Sequence, residues 1–210
     1  MAFDKKSVEK AVEQALAQKS ERKFTQSVDL AINFKELDFK KPENRVNTDI
    51  ALPNAARQVK VAVFADGQLA LDAKNVADAV FGAADITAFA SDKKKQAELL
   101  KYSLLAAPQF MAVIGKQLGQ VLGTKGKLPT PILPGINLAE LVKKTRASIT
   151  LKVKGKMLPC LHCIVGRENM PKEQIVENVM AVLEVVIKKV SEPRVASAYV
   201  KTTMGKPVKV

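Results

Sequence analysis

Val59-Lys60-Val61-Ala62-Val63-Phe64-Ala65-Asp66-Gly67 is where the texture of the chain changes. Its first six residues are apolar except for Lys60, so nearly every position is suited to burial rather than every second one. A strand of that kind is covered on both faces, the condition of a parallel sheet flanked by helices. Ala65-Asp66-Gly67 then reads as a turn. Downstream, the pattern predicts an alanine-rich helix over Gln68–Val80, a strand over Ile86–Ala90, a helix over Lys93–Lys101 and a buried strand over Tyr102–Ala106. A helix over Phe110–Leu122 follows, with Gly115 and Gly119 as weak points, and then one over Leu138–Arg146. Strands alternating with helices make this stretch an α/β unit.

Upstream of Pro53 the pattern differs. Val8, Ala11, Val12, Ala15 and Leu16 recur at helical spacing behind Ser7 as N-cap. Val28, Leu30, Ile32 and Phe34 then alternate with Asp29, Ala31 and Asn33, the period of a half-buried strand. A basic, proline-containing loop, Lys40–Arg45, leads to Thr48–Leu52 as the expected partner strand. Beyond Ala147, Ile149, Leu151 and Val153 alternate with polar residues, and Gly155-Lys156 turns the chain into Leu158–Val165, together a hairpin. Pro171 opens a long helix to Val190 with Ile175, Val179, Val182, Leu183 and Val186 as its apolar stripe, and Val195–Lys201 is the final strand. The two ends share one style. The expected architecture is a discontinuous α+β domain from residues 1–53 and 148–210, with an α/β domain, residues 54–147, inserted between them.

The 210 residues are 47% hydrophobic and 26% charged, an ordinary globular composition. The charge is less ordinary: 34 Lys and Arg against 21 Asp and Glu leave +13. Residues 55–147 and the remainder are each net basic, so both parts suit a polyanionic partner. No apolar run reaches membrane-spanning length, and the N-terminal residues mix Lys and Glu where a signal peptide would be apolar. Two cysteines and one histidine are little material for a disulfide framework, a metal centre or a catalytic triad, and a reducing cytosol is the expected setting. Within Cys160-Leu161-His162-Cys163, strand geometry puts Cys160 and His162 on one face and Cys163 on the other. No further Cys or His exists to complete a tetrahedral zinc site, so small residues in a packed strand is the favoured reading and neither metal nor cofactor is expected.

Three segments remain. Gly123-Thr124-Lys125-Gly126-Lys127 joins flexible backbone to lysines but lacks the spacing of a nucleotide-binding loop, which counts against a nucleotide hydrolase and leaves phosphate contact on RNA or a plain basic loop. Lys23-Phe24-Thr25-Gln26-Ser27-Val28-Asp29 and Lys201-Thr202-Thr203-Met204-Gly205-Lys206 are polar strand ends. Read as RNA contacts, their lysines neutralise phosphates, Thr and Gln reach 2′-hydroxyls, and the glycine admits close approach.

Phe24-Thr25-Gln26-Ser27, Pro42-Glu43-Asn44-Arg45, Leu52-Pro53, Leu122 to Pro131 and Thr203-Met204-Gly205, in that order, resemble the family of the first protein of the large ribosomal subunit in its archaeal and eukaryotic form. The resemblance runs from about Val8 to the C-terminus. It implies a cytoplasmic, non-enzymatic ribosomal protein whose inserted domain is Rossmann-like and joined by a two-stranded hinge. The implied partners are the mobile stalk of large-subunit ribosomal RNA, tRNA near the exit site, and the protein's own messenger, whose translation it represses. Carried onto this chain, the principal RNA contacts are Phe24, Thr25, Asp29, Thr203, Met204 and Gly205, with Gly166-Arg167 a weaker match. Lys23, Gln26, Thr124, Lys125 and Lys127 complete the candidate set from the residue reading. Asp29 stands where the family usually has glutamate, and Lys206 precedes Pro207 where the family motif runs directly into proline.

Overall fold

A strand forms where every second side chain can be buried, and Ser27–Phe34 meets that condition residue by residue: Val28, Leu30, Ile32 and Phe34 are buried, while Ser27, Asp29, Ala31 and Asn33 are half-exposed. The computed structural model describes residues 4–17, 23–37, 39, 46–57, 59–133, 135, 137–153 and 158–210. The Lys40–Arg45 loop, with its Pro42-Glu43-Asn44-Arg45 motif, and the Gly155-Lys156 turn lie outside the described residues. In chain order the elements are α1 (Lys5–Ala17), β1 (Ser27–Phe34), β2 (Asn47–Ala51), β3 (Val61–Phe64), α2 (Gly67–Lys74), β4 (Ala79–Phe81), α3 (Ala83–Ser91), α4 (Lys93–Leu99) and β5 (Ser103–Ala106). There follow α5 (Pro108–Gln117), α6 (Gly119–Lys125), β6 (Thr130–Pro131), α7 (Leu138–Ala147), β7 (Ser148–Lys152), β8 (Cys160–Arg167), α8 (Lys172–Val190), β9 (Val195–Thr202) and β10 (Val208–Lys209).

The chain divides into two compact units, Met1–Arg57 with Ala147–Val210, and Gln58–Arg146. In the first unit an antiparallel sheet of order β10-β9-β1-β8 carries α1 and α8 on one face, where Val8, Val12, Leu30, Ile32, Val179 and Leu183 belong to one apolar core. Each such fully buried side chain contributes about 1.5–3 kcal/mol, and α8 supplies more of them than any other element of this unit. Asn178, also buried on α8, is fully employed: its Oδ1 accepts the Asn54 N–H (3.0 Å), and its Nδ2 donates to the carbonyls of Asn54 and Val165 (both 2.8 Å). The second unit is a parallel sheet of order β4-β3-β5-β6. Val61 to Phe64 are all buried, and apolar clusters cover the two faces of the sheet, one with Phe110 and Ile114 and one with Ala73 and Val142.

Several local expectations give way to tertiary structure. Thr48–Leu52 does not pair with β1; β2 pairs antiparallel with β7 in a separate two-stranded sheet. The expected hairpin of β7 with β8 therefore does not form, because the alternating Leu161, Cys163 and Val165 of β8 join the core beneath β1 instead. Ser7 lies inside α1, whose first turn is closed by the Asp4 carbonyl accepting from Ser7 and Val8 N–H (2.9 and 3.1 Å). The alanine-rich helix ends at Lys74, and Ala79–Phe81 becomes a strand because pairing with β3 outweighs alanine's helical preference. Ile86–Ala90 is helical, its Asp85 carboxylate accepting the Gly82 N–H (2.9 Å) at the helix start. Leu118 splits the single helix expected over Phe110–Leu122 into two. Asp66 is more than a turn residue: its carboxylate caps α2 through the Gly67 N–H. β10 follows the last strand that the pattern predicts and pairs antiparallel with β9.

Candidate nucleic-acid interface

The alternation of β1 sends Asp29, Ala31 and Asn33 to the sheet face opposite the helices, and pairing decides their neighbours. Asp29 lies between Lys201 and Ile164, Ala31 between Tyr199 and His162, and Asn33 between Ser197 and Cys160. Tyr199 is opposite Lys209 on its other side. The Asn33 carboxamide donates to the Ser197 hydroxyl (3.1 Å). Burial pushes the Asp29 carboxyl above its ordinary value, while Lys201 and His162 pull it back. Alternation along Val195–Lys201 contained the signal that Ser197, Tyr199 and Lys201 share a face. That they share it with Asp29 and His162 depends on long-range register.

At one end of this sheet β1, β8 and β9 stop together, Ser27 opposite Arg167 and Val28 opposite Thr202. The Thr203 N–H donates to the Ser27 carbonyl (3.0 Å), and the Thr203 hydroxyl bonds the same residue's N–H and carbonyl (3.1 and 3.2 Å). The Met204 N–H donates to Gln26 Oε1 (3.1 Å), and the Glu168 N–H to the Gln26 carbonyl (3.0 Å). The fold thus brings together Lys23, Phe24, Thr25, Gln26, Arg167, Thr203, Met204 and Gly205. Phe24 is 51% exposed and Met204 59%, two large apolar groups displayed among hydroxyls and cations. Such a set can press on a ribose or base while the cations meet phosphates. Gln26 does not fit its expected role, because it is buried to 1% and its amide oxygen is bonded internally.

Gly205 is needed for a reason inside the protein. The Thr202 hydroxyl, buried and without a hydrogen-bond partner among the described residues, occupies the place that a Cβ on residue 205 would take.

Thr124, Lys125 and Lys127 belong to the second unit. Gly123 to Lys125 are the last turn of α6, not a flexible loop, and Gly126 closes the helix in the left-handed conformation at φ +64°. Lys127 turns inward, its Nζ donating to the carbonyls of Leu100 (2.6 Å) and Tyr102 (3.3 Å). Thr124 and Lys125 are exposed. At the carboxyl ends of β3 and β5 lies a cavity of about 340 Å³, with Ala107, Pro108, Ile132 and Leu138 as apolar walls and Asp66 and Gln109 as polar groups. Its one carboxylate opposes a phosphate there, whatever the resemblance to nucleotide-binding topology. Among the described residues no group of three or more His, Cys, Asp or Glu is placed to hold a metal ion, and no helix is long and apolar enough to cross a membrane.

The family model described as ribosomal protein L1p/L10e matches residues 15–206. The chain belongs to the ribosomal protein L1p/L10e family. It is 42% identical over 213 residues to the large ribosomal subunit protein uL1 of Thermoplasma volcanium, an alignment covering 99% of this chain and 97% of that protein. The protein of the same name from Thermoplasma acidophilum is 41% identical, with coverage of 97% and 95%. That from Thermofilum pendens is also 41% identical, with coverage of 97% and 92%. The sequence resemblance to this family is therefore confirmed, and it is a family of ribosomal proteins, not of enzymes. All the sheet-end residues of the L1-family chain described above lie within the matched span.

Proposed function

We propose that this chain is a structural constituent of the large ribosomal subunit, working in the cytoplasm and binding the stalk region of large-subunit ribosomal RNA. The contact surface in this reading is the end of the first unit's sheet: Lys23, Phe24, Thr25, Asp29, Arg167, Thr203, Met204 and Gly205. The observation that supports it best is the joining of two motif segments 176 to 178 residues apart by the Ser27–Thr203 and Gln26–Met204 hydrogen bonds. Pairing of β1 with β9 brings the two ends together, and a plain strand end gives no reason for a large apolar side chain, Phe24 and Met204, to be exposed on each of them. The +13 charge supplies the sequence-independent share of the attraction.

The finer reading takes in the exit-site tRNA, whose release after deacylation the protein assists. It also includes the protein's own messenger, held by the same surface if that RNA reproduces the stalk's shape. In this reading residues 54–147 are an inserted Rossmann-like domain, and the β2–β7 pair is its hinge. Lys125 and Thr124 add peripheral phosphate contact. Crosslinking in cells tests the principal claim: stalk RNA should dominate the RNA recovered. In vitro, binding to that RNA should weaken steeply between low and moderate salt, and an affinity indifferent to salt would contradict the proposal.

A further inference from the structure

We infer that Gln26 is a positioning residue of the RNA interface, holding the Thr203-Met204-Gly205 turn from beneath without touching RNA itself. The inference rests on the RNA-binding reading above. Gln26 precedes β1 in the same alternation as Val28 and Leu30, so its side chain turns inward although its composition suits the surface. A buried carboxamide has to be hydrogen-bonded, and here its oxygen meets the Met204 N–H at 3.1 Å.

The geometry of the turn shows why that bond matters. Residues 202–205 form a tight turn closed by the Gly205 N–H on the Thr202 carbonyl (3.1 Å). The Thr203 N–H is taken by the Ser27 carbonyl (3.0 Å). The Met204 N–H is the remaining donor, beyond the ladder of β9, and Gln26 Oε1 satisfies it. Gln26 therefore completes the hydrogen bonding of the turn and leaves the exposed Met204 side chain facing outward. Its own carbonyl accepts the Glu168 N–H, so the same residue also ties down the segment that begins at Arg167.

The test uses the full-length protein, a stalk-region fragment of large-subunit ribosomal RNA, and amide hydrogen exchange. Gln26→Met keeps the side-chain length and removes the acceptor. It should speed exchange of the Met204 amide in the free protein and lower RNA affinity about tenfold, with the salt slope unchanged because no phosphate contact is lost. On a Met204→Ala background the same substitution should cost less than about twofold, since it acts through the turn. Unchanged exchange of the β1 core amides in Gln26→Met separates the loss of this one bond from a general folding defect. Additive losses from Gln26→Met and Met204→Ala would overturn the inference, as would parental affinity despite fast Met204 exchange. Should Thr203→Val and Met204→Ala leave RNA binding intact, the interface reading falls and takes this inference with it. Full effects from those two combined with additivity would remove this inference alone.

Discussion

Lys201-Thr202-Thr203-Met204-Gly205-Lys206 and Gly123-Thr124-Lys125-Gly126-Lys127 are nearly the same material: lysines, glycines and threonine hydroxyls. In the first, backbone donors are matched across the chain, Thr203 to the Ser27 carbonyl and Met204 to Gln26, the Thr202 side chain is buried, and the Met204 side chain is left outward. In the second the matching is local. The Thr124 hydroxyl donates to Val121 O (3.0 Å), the Lys127 N–H to Leu122 O (2.9 Å), and the Lys127 ammonium is drawn into the second unit. A helix end satisfies its own backbone and presents what remains, whereas a joined sheet end can hold several segments in one arrangement. Composition does not distinguish the two.

The largest test separates the units. Residues 1–57 joined through a short linker to 147–210 should fold and bind stalk RNA within about tenfold of the whole chain, and residues 58–146 alone at least about a hundredfold more weakly, each decade being about 1.4 kcal/mol. The Leu52 N–H donates to the Ala147 carbonyl (3.1 Å), so the two segments of this unit run side by side close to the junction. The reverse order in a direct titration would break the comparison.

Next comes Gly205. Gly205→Ala should reduce affinity at least about tenfold and lower the melting temperature, since the new methyl and the buried Thr202 hydroxyl compete for one place. Thr202→Ala in the same chain frees that place. Recovery of melting without recovery of binding would show that RNA also needs the bare glycine; recovery of both would put the whole effect inside the protein.

Lys127→Met should do the opposite of an interface mutation. Removing the donor to Leu100 and Tyr102 should cost about 1 kcal/mol of stability while RNA affinity changes less than about twofold. A changed salt slope with unchanged melting would return Lys127 to the interface.

The smallest effect concerns Asp29, whose carboxyl is pushed up by burial. With the folded value above the unfolded one, its contribution is fully present below the unfolded pKa and is lost as pH rises through the folded pKa. Asp29→Asn should therefore raise the melting temperature by about 1–3 °C at neutral pH, with the gain fading toward pH ~4. A gain that grows on acidification would contradict the assignment. Cys163 offers a control away from the surface: burial holds its thiol at about 12, so it should resist alkylation at pH 8 in the native state and react only after unfolding.

Much of this molecule follows from short-range pattern. The alternation of Val28 to Phe34, the apolar run at Val61–Phe64 and the stripe of α8 each name an element and its buried face, because burial repeats with the period of the backbone that carries it. The motif residues toward both termini likewise carry the family resemblance. Ile86–Ala90 shows the limit of pattern: five mostly apolar residues satisfy a strand as well as a helix, and the capping by Asp85 decides.

Pairing was beyond the reach of the sequence. Nothing local in Thr48–Leu52 or Leu158–Val165 says which strand will lie beside it, so β2 with β7 and β8 with β1 emerge only when the whole sheet is assembled. The same applies to Gln26 and Lys127, whose composition advertises the surface while their hydrogen bonds run inward. The sequence by itself determined most of the elements, the charge and the family. The tertiary structure decided which polar groups remain for a partner, because a hydrogen bond between residues 178 positions apart exists only once both ends of the chain have met.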